Sequence, residues 1–446
     1  MPRDLHGLEL TAASDAAAVA LDHAELGYLK YRADAADRLK AAIAADAEMP
    51  MAHVLRGTFA MLSYKAANLD YAAQSLATAR KLAANPRERA HMAALEKWIA
   101  NDIPAATQAW SDLLKDHPRD ILAFRLHHFA SFWAGRAGEM AAQAEATAAH
   151  FTEADPGYGS VLACRCFALE ECGEYLRAES YGREAVAIDP ADMWATHAVA
   201  HILEMQGRRA EGIAWLTQLE PNWDGGNNLK HHLFWHRALY HFERAEFDQV
   251  LALYDRGFRN LGSPLTQAMP DLYIDIQNAA SALLRLELRG IDVGNRWAEL
   301  ADHAEARIGD HLSAFTVPHW MMALAADGRT DAAGRMLAAM ARDAAGNTAH
   351  ARLLREVVLP VCRGVLAHRE RRFAEAVLHM RPALADMPRL GGSHAQQDVL
   401  EQVFLDAAAR ADMADDALLL LERARARHPL PPERRAGYRD AARIHG

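Results

Sequence analysis

Polar and apolar residues rarely alternate with a period of two along this chain, so little of the sequence fits a β-strand with one buried face. Alanine is abundant and β-branched residues are sparse, and this composition favours helix nearly everywhere. Steps of three and four residues, the spacing of one helix face, connect the side chains from Trp194 to Glu204. The pattern predicts an all-α fold.

Prolines divide this helical sequence into units of similar length. The breaks fall at Pro50, Pro86, Pro118, Pro156, Pro190 and Pro221. Their successive intervals of 36, 32, 38, 34 and 31 residues match the two-helix tetratricopeptide unit, and proline opens a helix without continuing the previous one. We predict about a dozen tetratricopeptide-like helical hairpins stacked in one right-handed superhelix. This single array would cover residues 1–446, with atypical capping helices at about 1–50 and 430–446.

The balance of charge limits the partners that the sequence predicts. The 49 Lys and Arg residues are interleaved with 59 Asp and Glu residues, and the net charge is −10. This pattern argues against a nucleic-acid partner, because binding a phosphate backbone requires clustered positive charge. The N-terminus lacks an apolar signal segment, and no later apolar run reaches membrane-spanning length. We therefore predict a soluble cytoplasmic protein without a membrane partner. The sequence leaves the oligomeric state open.

The four cysteines agree with a reducing compartment. Cys164, Cys166 and Cys172 lie in one predicted helix, where their directions diverge, and Cys362 is remote in sequence. A disulfide framework is therefore not expected. Cys164 and Cys166 are closer together than the cysteines of most metal or redox motifs, which favours their interpretation as small buried apolar residues.

Five segments outside the generic repeat pattern carry a more specific signal. They are LKDHPRD at 114–120, WATHAVAHILEM at 194–205, WHRALY at 235–240, GIDVGNRW at 290–297 and LGGSHAQQDV at 390–399. In these segments, which are spread along nearly the whole chain, the sequence resembles the tetratricopeptide repeat protein 38 family. The resemblance implies a single helical-repeat architecture in which both of the histidine pairs described next belong to the family pattern. It implies no reaction.

Two H-x-x-x-H pairs point toward chemistry rather than scaffolding. Four-residue spacing places both imidazoles of His197 and His201, and of His232 and His236, on one face of a helix. The second pair follows the first by 35 residues (232 minus 197), about one repeat. On neighbouring helices the four imidazoles could converge. Glu204 continues the stripe of the first pair by three residues.

Large aromatic residues surround these pairs in the sequence, and they are the expected walls of a concave, His-rich pocket. The predicted ligand-binding residues are Trp194, Trp223, Trp235, Asp275, His319 and Trp320. Trp223 lies in the turn-forming segment 221–228, which is either a lid or a plain connector. Asp275 forms a polar helical stripe with Asn278 and Ser281, which either contributes a carboxylate to the pocket or faces solvent.

Three interpretations of the histidines stay open. In the first, they are hydrogen-bonded packing residues of a scaffold. In the second, His197, His201, His232 and His236 bind a divalent metal such as zinc, which needs three or four ligands within reach. In the third, His197, His201, Glu204, His232 and His236 are the catalytic acids, bases or hydrogen-bond donors of a metal-free pocket.

The sequence thus predicts a helical-repeat protein whose inner pocket binds a small polar ligand and could support metal-assisted or acid/base hydrolysis. The alternative is a protein-interaction scaffold that binds a peptide in its concave groove, the commonest use of such repeats. A separate segment around Ser393 and Gln396 could bind an anion at a helix start, although a capping box explains it better.

Overall fold

The computed structural model describes residues 2–445, which form helices joined by turns and contain no β-strand beyond two isolated bridges. The chain separates into two compact units. The first contains residues 1–199 and 219–229, and the second contains residues 200–218 and 230–446. The prediction of an all-α fold built from helical hairpins is confirmed, while the single capped array stays a prediction.

Helices α1–α10 lie in the first unit, and helix α11 runs from the first unit into the second. They are α1 (Asp15–Leu29), α2 (Ala35–Ala45), α3 (Pro50–Leu62), α4 (Leu69–Ala79), α5 (Pro86–Ile99), α6 (Ile103–Asp116), α7 (Ile121–Trp133), α8 (Ala137–Ala148), α9 (Tyr158–Glu171), α10 (Tyr175–Ile188) and α11 (Met193–Met205). Short helical turns add Ala66–Asn68 and Glu220–Trp223.

The remaining helices belong to the second unit, except that the last residue of α12 and the first residue of α13 belong to the first unit. They are α12 (Arg209–Leu219), α13 (Leu229–Glu243), α14 (Phe247–Leu253), α15 (Pro264–Ala268), α16 (Tyr273–Leu288), α17 (Arg296–Ala306), α18 (Thr316–Ala326), α19 (Thr330–Ala344), α20 (Ala349–Leu353), α21 (Leu359–Arg369), α22 (Phe373–Met380), α23 (His394–Arg410), α24 (Ala414–Arg427) and α25 (Arg439–His445). Tyr254–Phe258 and Leu354–Val358 are π-helical, and Arg381–Ala383, Met387–Leu390 and Pro432–Arg434 are short turns.

The predicted helix starts follow from proline and acidic caps. Pro50 and Pro86 are the first residues of α3 and α5, where the missing amide hydrogen costs no intrahelical bond. Pro190 instead lies three residues before α11, and Asp192 caps that helix by accepting a hydrogen bond from the Ala195 amide at 2.9 Å. Ser393 forms a capping box with Gln396 at the start of α23, as expected.

Small residues allow close helix packing in both units. In the first unit, a Cβ atom at Gly182 of α10 would lie 2.6 Å from the Cys166 sulfur of α9. In the second unit, a Cβ atom at Gly212 of α12 would clash with the ring of Tyr240. Tyr240 donates a hydrogen bond to the Ala200 carbonyl at 2.5 Å, so glycine is required for this ring to lie between helices.

Two further observations concern the pairing of the cysteines and the length of the apolar helices. All four cysteines are free thiols; Cys164, Cys166 and Cys362 are buried and Cys172 is exposed. Across residues 2–445, no helix is both long enough and apolar enough to cross a membrane.

Candidate functional site

Three of the predicted histidines come together in the second unit. His201 lies near the end of α11, and His232 and His236 lie one turn apart on α13. Their side chains are 0–2% exposed, and their candidate ligand atoms lie within 4.8 Å of one another. The Nε2 atoms of His232 and His236 are 3.2 Å apart, and the ring centroids of His201 and His236 are 4.4 Å apart.

Helix α16 orients α13 through three side-chain hydrogen bonds. The pairs are His231 Nδ1 with Asp275 Oδ2 at 3.0 Å, His232 Nδ1 with Asn278 Oδ1 at 2.8 Å, and the Trp235 indole N–H donating to Ser281 Oγ at 3.1 Å. The predicted polar stripe is therefore buried, since Asp275, Asn278 and Ser281 are at most 1% exposed. The solvent-facing interpretation of this stripe is wrong.

The ring stacking on α13 further restricts the imidazoles. Trp235 stacks on His232 with the centroids 5.0 Å apart and the ring planes 13° apart. A stacked indole and a hydrogen-bonded Nδ1 together leave the His232 ring little freedom to rotate. The predicted pocket residue Trp235 therefore fixes a histidine and is itself 1% exposed.

Glu204 is the acidic partner of this cluster. Its Oε2 atom lies 2.9 Å from Nδ1 of His236, and its side chain is 17% exposed whereas that of His236 is 0% exposed. Burial raises the pKa of the Glu204 carboxyl to about 8 and lowers the pKa of His236 to about 3. Burial also holds the pKa values of His201 and His232 well below their usual range, so the three imidazoles are neutral at pH 7.

A recess of about 40 Å³ borders Glu204 in the second unit, which is room for a few water molecules or a small group of a larger molecule. Its wall includes Arg285, Arg435 and Asp398. Asp398 lies 3.5 Å from the Arg285 guanidinium and forms a close ion pair with Arg435, so one carboxylate serves two arginines. Tyr438 also donates to Asp398 at 2.6 Å.

Two further groups on the recess wall offer unused hydrogen-bonding capacity. Within residues 2–445, the buried atoms Gln402 Oε1 and His394 Nδ1 have no hydrogen-bond partner. Gln402 is 3% exposed, and a buried amide oxygen without a partner costs about 1 to 3 kcal/mol. A bound molecule with a hydrogen-bond donor would satisfy it.

His197 and Trp194 lie in the first unit, where they contact aromatic neighbours. The His197 ring stacks on Phe167 at 5.4 Å and lies 4.7 Å from the Trp194 ring. The buried guanidinium of Arg125 lies 4.5 Å from the Trp194 ring centroid and also contacts Tyr31. Because His197 precedes His201 by one turn of α11, its role as a fourth ligand stays a prediction based on helical spacing.

Trp223 is buried in the first unit, with 3% exposure, at the end of the turn Glu220–Trp223. The segment that follows is anchored to Arg32, whose Nη1 donates to the Asp224 carbonyl at 2.9 Å. The Ala33 amide also donates to the Gly225 carbonyl at 3.0 Å. These bonds favour the plain connector over the lid.

His319 and Trp320 are each 1% exposed on α18 of the second unit. Nδ1 of His319 lies 2.9 Å from the Phe315 carbonyl of the preceding turn, and Arg307 lies 5.7 Å from the Trp320 ring. Both residues contact their own surroundings in this unit, and their predicted role as ligand-binding residues remains a prediction.

Sequence reasoning missed the residues that complete the site. His231 was overlooked because it lies outside the four-residue spacing of the pair on α13. Arg285, Asp398 and Arg435 come from three distant segments, and only the tertiary fold brings them together. No local pattern in the sequence marks them.

No protein-family model matches this sequence. Among solved structures, the chain is similar to the complex of Naa15 and Naa10 bound to HypK-THB, with 14% identity, a TM-score of 0.28 and coverage of 91% of this chain and 62% of that one. It thus spans less than two thirds of that structure's chain.

The chain is also similar to yeast Tom70, with 11% identity, a TM-score of 0.37 and coverage of 96% of this chain and 86% of that one. Its similarity to the P58(IPK) TPR domain has 14% identity, a TM-score of 0.20 and coverage of 68% and 86%, respectively. The function of this chain is therefore inferred from its own residues.

Proposed function

We propose that the second unit binds a small acidic molecule in the recess between Glu204, Arg285 and Arg435. The supporting observation is that, within residues 2–445, Arg285 and Arg435 share one carboxylate, Asp398, while Arg209 on the same wall pairs with Glu243. Three arginines thus have two paired carboxylates, and burial raises the pKa of the remaining acidic group, Glu204, to about 8, which leaves an excess of positive charge in a partly buried site. A carboxylate or phosphate group would balance this charge and accept hydrogen bonds from the two arginines.

Glu204 connects the recess to the histidine cluster. It lies on the recess wall and is hydrogen-bonded to His236, so these two groups could exchange a proton with a bound molecule. Hydrolysis of a polar small molecule is the simplest reaction for such a pair, and it is the enzymatic form of the proposal.

The test is isothermal titration of the full-length protein with inorganic phosphate, malonate and citrate. Wild type should bind at least one of these anions, and Arg435→Gln should weaken that binding by about tenfold or more, as expected for a lost charged hydrogen bond. Arg335→Gln is the matched control, because Arg335 is exposed and pairs with Glu305 away from the recess. Equal affinities for wild type and Arg435→Gln would contradict the proposal.

The helical hairpins favour a second candidate, a protein-interaction scaffold that binds a peptide along successive first helices. Such a peptide would contact many exposed side chains rather than one recess. A peptide partner should therefore bind Arg435→Gln and wild type equally well, which separates the two candidates in one titration series.

Membership of the tetratricopeptide repeat protein 38 family and a cytoplasmic location are part of the same proposal. The five segments that resemble the family support the first. The four free thiols support the second, because a reducing compartment keeps cysteines unpaired.

A further inference from the structure

The separation between His232 and His236 matches that of two ligands on one metal ion. Their Nε2 atoms are 3.2 Å apart. Two nitrogen atoms bound tetrahedrally to zinc at about 2.0–2.1 Å lie about 3.3 Å from each other. One ring nitrogen of His201 lies within 4.8 Å of a ring nitrogen of each of these two histidines, so an inward shift would bring the third imidazole into the same coordination sphere.

The Nδ1 atoms of His232 and His236 have the kind of hydrogen-bond partner that metal-binding histidines have. A ligating histidine normally donates its other ring N–H to a carboxylate or a carbonyl oxygen. Here Nδ1 of His236 faces the Glu204 carboxyl at 2.9 Å, and Nδ1 of His232 faces the Asn278 amide oxygen at 2.8 Å. An amide oxygen only accepts, so His232 carries its hydrogen on Nδ1 and directs the lone pair of Nε2 toward His236.

We propose that His201, His232 and His236 bind one divalent transition-metal ion, with zinc as the best match. Three neutral imidazoles in a buried cluster suit zinc, copper or nickel better than magnesium or calcium, which prefer oxygen ligands. Three protein ligands leave a fourth position for water, for a bound molecule or for one more histidine. The metal site does not require an anion in the recess, although Glu204 borders both.

A metal-free arrangement of the same atoms is the alternative that the experiment must exclude. A hydrogen on Nε2 of His236 would also bridge the 3.2 Å to Nε2 of His232, provided that Glu204 is protonated and donates a hydrogen bond to Nδ1 of His236. The two arrangements differ in metal content and in their response to chelators.

The first measurement uses full-length wild-type protein. We expect elemental analysis to find about one zinc per chain, because the three converging imidazoles form one metal site. After removal of the metal with a chelator, calorimetric titration with zinc should restore one site, and cobalt should give the absorption spectrum of a tetrahedral nitrogen site. A folded protein that binds neither ion stoichiometrically overturns the proposal and leaves the proton-bridged cluster.

The second measurement uses variants with a matched control. Asn278→Ala keeps all three ligands and removes the oxygen that orients His232, so zinc affinity should fall by about 10- to 100-fold while the circular dichroism spectrum stays helical. His319→Asn is the control, because His319 is an equally buried imidazole of the same unit that contacts the Phe315 carbonyl. Zinc affinity that is the same in Asn278→Ala and wild type would overturn the assignment.

Discussion

The Nε2 atoms of His232 and His236 face each other at 3.2 Å in the buried core of the second unit. Two imidazole nitrogens at this distance need a shared proton or a shared cation between them, because two lone pairs repel. Either a hydrogen or a metal ion therefore lies between these two atoms, and measurement of the metal content of the protein distinguishes the two.

The fourth ligand predicted from the sequence can be tested by His197→Ala. Because His197 precedes His201 by one helical turn, we expect its loss to weaken zinc binding by about tenfold or more while the ratio stays at one zinc per chain. Calorimetric titration measures both quantities. An unchanged zinc affinity would limit the site to His201, His232 and His236.

Replacing Asp398 should destabilise the second unit in a way that small anions reverse. Asp398→Ala leaves Arg285 and Arg435 without their shared carboxylate, and breaking such a buried pair costs about 3 to 5 kcal/mol. We expect acetate to raise the melting temperature of this variant more than that of wild type. Adding Arg435→Gln should remove the acetate effect, and its persistence would count against the recess.

The hydrogen bond between Trp235 and Ser281 should contribute to stability. Ser281→Ala leaves the buried indole N–H without its acceptor, which should lower the free energy of unfolding by about 1 to 3 kcal/mol. Ser180→Ala is the control, because Ser180 is exposed and its hydroxyl bonds to the carbonyl of Arg177 in its own helix. Urea unfolding of both variants measures the difference, and equal losses would refute this role.

Acid should destabilise the first unit through His127. Burial lowers the pKa of His127 to about 4 from an ordinary value of 6.5, against the smaller opposing effect of Glu139, with Arg136 acting in the same direction as burial. The neutral imidazole thus contributes stability above pH 6.5 that is lost as the pH falls through 4. The full effect is about 3 kcal/mol, because the pKa of His127 falls from 6.5 to about 4 on folding.

His127→Met should therefore flatten the dependence of stability on pH between 6.5 and 4, as followed by urea unfolding at each pH. His150→Met changes an exposed histidine of the same unit and should keep the wild-type profile. A wild-type profile in His127→Met would show that other groups control the acid response.

Substitution of alanine for glycine should change the free energy of unfolding in opposite directions at two positions. Gly212→Ala places a methyl group against the ring of Tyr240 and should destabilise the protein by about 1 to 3 kcal/mol. Gly334 lies in α19 with open space around the added atom, so Gly334→Ala should stabilise by about 0.5 to 1 kcal/mol through helix propensity. Thermal unfolding of both variants tests the packing of α12 on α13.

Local sequence rules predicted the helices, several caps and the histidine pair on α13, because each depends on residues within about one helical turn. The same rules could not decide whether Asn278 faces solvent or His232, since that depends on how α13 packs on α16. The recess was also out of reach, because Asp398 and Arg435 are 37 residues apart and meet only in the folded chain. Likewise, the polar, turn-forming residues around Trp223 could not predict that its side chain is buried.

The three matched bonds between α13 and α16 limit how this region could change during evolution or redesign. A slip of one helix by a single turn would break His231–Asp275, His232–Asn278 and Trp235–Ser281 together. The six positions are therefore expected to be inherited as a set, because replacing any one of them leaves a buried polar atom without its hydrogen-bond partner. Transplanting the histidines into another scaffold would require copying both helices.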